Sequence, residues 1–122
     1  MEEQIRTHKD LEIFKRSRQL VKEIYLLTRS LPNSEEFGLI SQMRRAALSV
    51  PMNIAEGAAR KGTKEFVQFL YIALGSLSEL DTQLILCNDL DLLFDISLYQ
   101  NNIVILRKQI SSLIKSLNRR IT

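Results

Sequence analysis

The chain of 122 residues has no tryptophan, one histidine and one cysteine. A lone cysteine, Cys87, cannot close an intrachain disulfide, so side-chain packing must hold the fold. The lone histidine, His8, has no acid, base or nucleophile patterned around it, which leaves catalysis without its usual parts. No Glu-x-x-His pair is present for a di-metal bundle site, and no G-x-x-x-x-G-K-[ST] loop is present to cradle phosphates. Asp89, Asp91 and Asp95 lack the glycine and terminal glutamate of a calcium loop. These absences predict a protein that is not an enzyme and carries neither metal nor cofactor. No apolar run reaches the roughly 18–20 residues that cross a bilayer. The opening MEEQIRTHKDLEIF lacks the apolar core of a signal peptide. The expectation is a soluble cytoplasmic protein with no membrane contact.

Charge is missing in blocks. Between Glu65 and Leu106 there is no lysine or arginine, while Glu79, Asp81, Asp89, Asp91 and Asp95 are acidic. After Asp95 there is no acid, and Arg107, Lys108, Lys115, Arg119 and Arg120 are basic. A hairpin built from these two halves would carry one acidic and one basic side. The net charge of +3 is too small for a dedicated nucleic-acid tail.

With two prolines and four glycines, and 45% hydrophobic residues, the chain suits a single helical domain over residues 1–122 with a real core. Periodicity of three and four marks helices over about 10–30, 35–60, 64–88 and 96–120. The first carries the rows Leu11, Phe14, Val21, Tyr25 and Leu20, Ile24, Leu27, Leu31, with Asp10 as a candidate N-cap. The second carries Phe37, Ile40, Met43, Ala47, Val50 and Ile54, with Ser34 as its candidate cap. Pro51 falls inside it, removes one backbone hydrogen bond and predicts a kink. The third carries the heptad seam Phe66, Leu70, Ala73, Leu77, Leu80, Leu84 and Cys87. Its stretch Phe69–Leu74 is apolar on every side, more than one bundle can bury, and predicts contact with another subunit near Gly75 and Ser76. The fourth carries Tyr99, Ile103, Leu106, Ile110, Leu113 and Leu117, widened by Val104 and Ile105, with Asp95 as its cap. Short connections between four such helices predict an all-α, antiparallel up-down-up-down four-helix bundle.

Several segments together resemble one family. The opening DLEIFKRSRQL, the stretch RRAALSVPMNIAEG at Arg44–Gly57, the segment EFVQFLYIALGSLSELDTQL and the ending LIKSLNRR are similar to the four helices of the 23S ribosomal RNA intervening-sequence proteins. A more distant similarity is to the accessory variability determinant of diversity-generating retroelements. The resemblance implies a bacterial protein that assembles as a homopentameric ring. It implies proximity to ribosomal RNA or to a nucleic-acid-processing protein, and no enzymatic activity.

Two constellations are candidate sites. Gln42, Arg45, Ser49, Asn53, Glu56 and Arg60 form a polar stripe on helix two. If helices two and three turn near Lys61–Gly62, Arg44 and Arg45 lie level with Glu79 and Ser78, which predicts a cross-helix Arg–Glu pair. Arg44, Arg45, Ser49, Asn53, Glu56 and Glu79 therefore read as a structural or inter-subunit set, with a ligand groove as the other reading. Glu56 and Arg60 can also pair within the helix. The second constellation is basic: Arg60, Lys61 and Lys64 at the turn, and Arg107, Lys108, Lys115, Arg119 and Arg120 on helix four. These are either solvated surface charges or phosphate contacts for RNA or DNA. Tyr71 and Tyr99 read as core. The function expected is a non-catalytic oligomeric scaffold that contacts RNA through basic surfaces. The alternative is a protein–protein interaction module that binds no nucleic acid.

Overall fold

The heptad of the third helix organises the molecule. The computed structural model describes the backbone of residues 2–121 and the side chains of residues 12–121. Four long helices form: α1 (Glu2–Thr28), α2 (Ser41–Ala59), α3 (Thr63–Asp89) and α4 (Ser97–Ile121). Each packs on its sequence neighbour, and α1 closes the ring against α4. The result is an antiparallel four-helix bundle. Phe66, Leu70, Ala73, Leu77, Leu80, Leu84 and Cys87 are all buried on its axis. They meet Ile13, Leu20 and Ile24 of α1, Met43, Ala47, Val50 and Ile54 of α2, and Ile103, Leu106, Ile110 and Leu117 of α4. Each of the buried Leu, Ile, Val, Phe and Met side chains contributes about 1.5–3 kcal/mol relative to exposure. Burial pushes the Cys87 thiol pKa up, with a smaller push from the Glu35 carboxylate. Its Sγ donates weakly to Met43 Sδ at 3.7 Å. The cysteine is part of the core.

The structure corrects several boundaries. α1 starts at Glu2, so Asp10 lies inside the helix rather than at its cap. The side chains of His8, Asp10 and Leu11 lie outside the described residues. Helix two starts later than its periodicity suggests. A 3₁₀ turn (Asn33–Glu35) and one π turn (Glu36–Ile40) precede it, and Ser34 caps nothing. The break in helical dihedrals falls at Gly38 (φ −103°, ψ −108°). Glycine is a poor helix former, and the chain kinks there before α2 begins. Phe37 consequently swings out and is 90% exposed. Pro51 sits buried within the continuous helical run of α2. Val104 and Ile105 do not widen the inner seam of α4 but lie half in solvent. α3 is, by length and composition, apolar enough to cross a membrane. Its inner seam is instead spent on the other three helices.

The helix ends are closed by local chemistry. The Asp95 carboxylate accepts from the backbone N–H of Ser97 at 3.3 Å and from its hydroxyl at 2.7 Å. These bonds hold the Asp95 pKa below the usual carboxylate value. At the end of α3 the chain reverses through Asp91, whose φ of 60° is left-handed. Leu92 N–H donates to Cys87 C=O at 2.8 Å and Asp91 N–H to Asn88 C=O at 3.1 Å. This is a Schellman closure with aspartate where glycine is usual. The Asn88 amide then ties down the carbonyls of Leu93 and Phe94 at 3.0 and 3.2 Å.

The α2–α3 crossing is tight at Gly57. A Cβ there would lie 2.7 Å from Phe69 Cβ and 2.8 Å from Phe66 Cδ1. The first of these atoms is anchored to the backbone, so the helices themselves would have to part. Gly57→Ala is expected to destabilise the protein by about 1–3 kcal/mol. Gly75→Ala, which meets nothing within 4 Å, should be neutral or stabilise by up to about 1 kcal/mol. Denaturant midpoints of the two variants measure the difference, and equal midpoints would mean that the Gly57 crossing is not tight.

Candidate functional site

The polar stripe of α2 lies against α3 as a groove. Its walls are Gln42, Arg45, Ala46 and Ser49 from α2, and Ser76 and Glu79 from α3, around a volume of about 370 Å³. The floor is a directed hydrogen-bond chain. Asn53 Nδ2 donates to Ser49 Oγ at 2.9 Å and to Ser49 C=O at 2.8 Å. The hydroxyls of Ser49 and Ser76 lie 2.7 Å apart, and Ser76 Oγ reaches Ile72 C=O at 3.2 Å. With Asn53 and Ile72 fixing the two ends, Ser49 donates to Ser76 and Ser76 to Ile72, so every proton has an acceptor. Next along α3, buried Gln83 donates to Glu79 Oε2 at 3.4 Å. The Gln83 Oε1 is buried without a donor.

The expected cross-helix Arg–Glu pair does not form. Neither Arg44 nor Arg45 is in an ion pair among the described residues. Successive helical residues project about 100° apart, so the two arginines cannot face the same neighbour. Arg45 shares the groove with Glu79. Arg44 turns to α1 instead. Its Nε donates to Thr28 Oγ1 at 2.9 Å and its Nη2 to Tyr25 C=O at 3.3 Å. Its guanidinium lies 4.4 Å from the Tyr25 ring centre. It thus serves the last turn of α1, where carbonyls lack helical partners and positive charge is favoured. A wheel drawn for the α2–α3 hairpin alone could not reveal that partner. The Glu56–Arg60 pair does form, at 3.2 Å. Arg60 also reaches Glu65 at 3.7 Å and covers the Phe69 ring at 5.1 Å.

The bundle sorts the basic candidates. Antiparallel packing brings the α2–α3 turn and the end of α4 to one pole. Arg60, Lys61, Lys64, Lys115, Arg119 and Arg120 gather there, all exposed. Arg107 and Lys108 lie farther along α4, and Lys108 borders a separate cleft with Glu12, Ile13, Gln109 and Ser112. The opposite pole holds Glu35, Glu36, Asp89, Asp91 and Asp95. Among the described residues, charge is therefore divided between the ends of the bundle as well as between the acidic α3 and the basic α4. Tyr71 is not core: it is 54% exposed, beside Ile72 at 51%. Tyr99 packs partly on the core. Among the described residues, no three His, Cys, Asp or Glu side chains are grouped to hold a metal ion.

The family model for the 23S rRNA-intervening sequence protein matches residues 9–119, nearly the whole chain. The chain belongs to that family. A solved relative is a protein of unknown function from the S23 ribosomal protein family of Bacteroides thetaiotaomicron. It is 25% identical, with a TM-score of 0.78, over 88% of this chain and 98% of that one. No curated protein matches the sequence. In this intervening-sequence protein the family-like segment Arg44–Gly57 contains Arg44, the Ser49 relay and the Gly57 crossing. Its chemistry, as far as the bundle uses it, joins α2 to α1 and α3.

The Ser49–Ser76 bond is expected to couple the two sites. In a cycle of Ser49→Ala, Ser76→Ala and the double variant, denaturant titration should give an interaction energy of about 0.5–1.5 kcal/mol. Strict additivity would show that the relay contributes nothing to holding α2 on α3.

Proposed function

We propose that this protein is a non-catalytic oligomeric scaffold that associates with RNA through its basic pole. Membership of the intervening-sequence family supports this reading. The observation that carries it is the gathering of six cations from two distant chain segments at one end of the bundle. A single chain of +3 would hold a polyanion weakly. A homopentamer, as the family resemblance implies, multiplies the net charge to about +15 and adds avidity. The exposed apolar residues Leu48, Met52, Ile72 and Leu86 on α2 and α3 support such assembly, as they form more uncovered surface than a solitary bundle needs. Gly75 lies on the same outer face of α3 with open space over it.

Affinity for ribosomal RNA fragments should fall steeply with salt, each phosphate contact adding about 0.7 to the slope for single strands. Arg119→Glu/Arg120→Glu is expected to weaken binding at least tenfold and to flatten that slope, with the mass measured in high salt unchanged. Equal affinity across salt would sink the RNA reading and leave a protein–protein module. Gly75→Leu should fold normally, because no neighbouring atom lies within 4 Å of the new Cβ position, yet lower the mass measured by light scattering. An unchanged mass would remove this face of α3 from the subunit contact.

A further inference from the structure

We infer that the acidic pole is a docking surface for the basic pole of a second copy, so that molecules associate head to tail. The acidic pole is also the apolar one. Phe37 is 90% exposed and Phe94 84% exposed, and Leu90 and Leu98 are exposed nearby in the chain. The two connections that bear them share this end, since Cys87, near the end of α3, meets Met43, near the start of α2, at 3.7 Å. Among the described residues, five carboxylates, Glu35, Glu36, Asp89, Asp91 and Asp95, outnumber the cations Arg29 and Arg44 at that end. Backbone closure at Asp91 and the Asn88 amide bonds fix the loop that presents Phe94.

Three features select the occupant. A polyanion or an anionic lipid surface is repelled by the carboxylates. Two acidic poles, or two basic poles, repel each other as well. The basic pole is opposite in charge, and α3, with its 27 residues, separates the two poles by about 40 Å. At that distance, several Debye lengths in physiological salt, the charges cannot neutralise each other within one molecule. The chemistry that would receive the phenylalanines is already used inside the protein. Arg18 lies over Phe14, Arg44 over Tyr25 and Arg60 over Phe69, with guanidinium-to-ring distances of 5.6, 4.4 and 5.1 Å. Arg120, in the last turn of α4, would offer the same group to Phe37 or Phe94 of the next copy. A head-to-tail contact leaves both terminal surfaces open, so association continues with concentration. It requires neither RNA nor a ring.

The test uses nuclease-treated full-length protein. Light scattering is read in about 20 mM and about 500 mM salt, where screening lengths differ severalfold. The weight-average mass should at least double at low salt. Glu36→Lys/Asp89→Lys, which spares the Asp95 cap and the left-handed Asp91, should keep the high-salt mass under both conditions. So should Lys61→Glu/Lys115→Glu. An equimolar mixture of these two variants retains one intact acidic and one intact basic pole, and should give twice the high-salt mass and no more. Phe37→Ser/Phe94→Ser, two changes at exposed positions, should raise the concentration for half-association at least fivefold. A salt-independent mass, or growth that survives both charge reversals, overturns the proposal, as does a mixture that stays at the high-salt mass. The limiting mass at high salt reports on the ring separately, and RNA affinity reports on the basic pole, so failure of one reading is distinguishable from failure of another.

Discussion

The near-contact of α2 with α3 at Gly57 sets the geometry on which the rest of the bundle is built. With no Cβ at that position, the aromatic side chains of Phe66 and Phe69 lie directly on the α2 backbone. That approach fixes the hairpin register, and the register places Ser49 opposite Ser76. It also brings Met43 to Cys87 at the far end of the same pair. A larger residue at Gly57 would push apart the helices at one end and loosen the polar relay a few turns away. Stability and groove geometry are thus linked through a single missing methyl group.

Polar groups then decide which helix each turn of α2 addresses. Apolar packing is tolerant of rotation, since Leu, Ile and Val offer similar surfaces around an axis. Hydrogen bonds are not tolerant. Arg44 ties α2 to the last turn of α1, and Ser49 ties it to the middle of α3. Two neighbours are engaged by residues five positions apart, which holds the rotation of α2 about its own axis. The family-like segment Arg44–Gly57 therefore does architectural work at each of its polar positions that the bundle buries or half-buries.

Much of this was legible in the sequence, and the parts that were not have physical reasons. The seams of α3 and α4 could be read because strict spacing of apolar residues leaves a helix one way to bury them. Glu56–Arg60 was legible because i and i+4 are neighbours on any helix. The start of α2 was not, because Phe37 and Ile40 fit the helical period while Gly38 breaks the backbone between them. Arg44 was not, because its partners Tyr25 and Thr28 belong to a helix that hairpin arithmetic leaves out. The exposure of Tyr71 was hidden by the same apolar stretch that made α3 look fully buried. Likewise, the basic residues at the α2–α3 turn and at the end of α4 are separated by about fifty positions in the chain. Only the antiparallel path brings them together.

The division of charge between the poles has a kinetic side. A rod with positive and negative ends experiences a torque in the field of any extended polyanion, and the torque acts before contact. The molecule would turn as it diffuses and arrive with Lys61, Lys64 and Arg120 leading and Phe37 and Phe94 trailing. Fewer collisions would then be wasted on the wrong orientation.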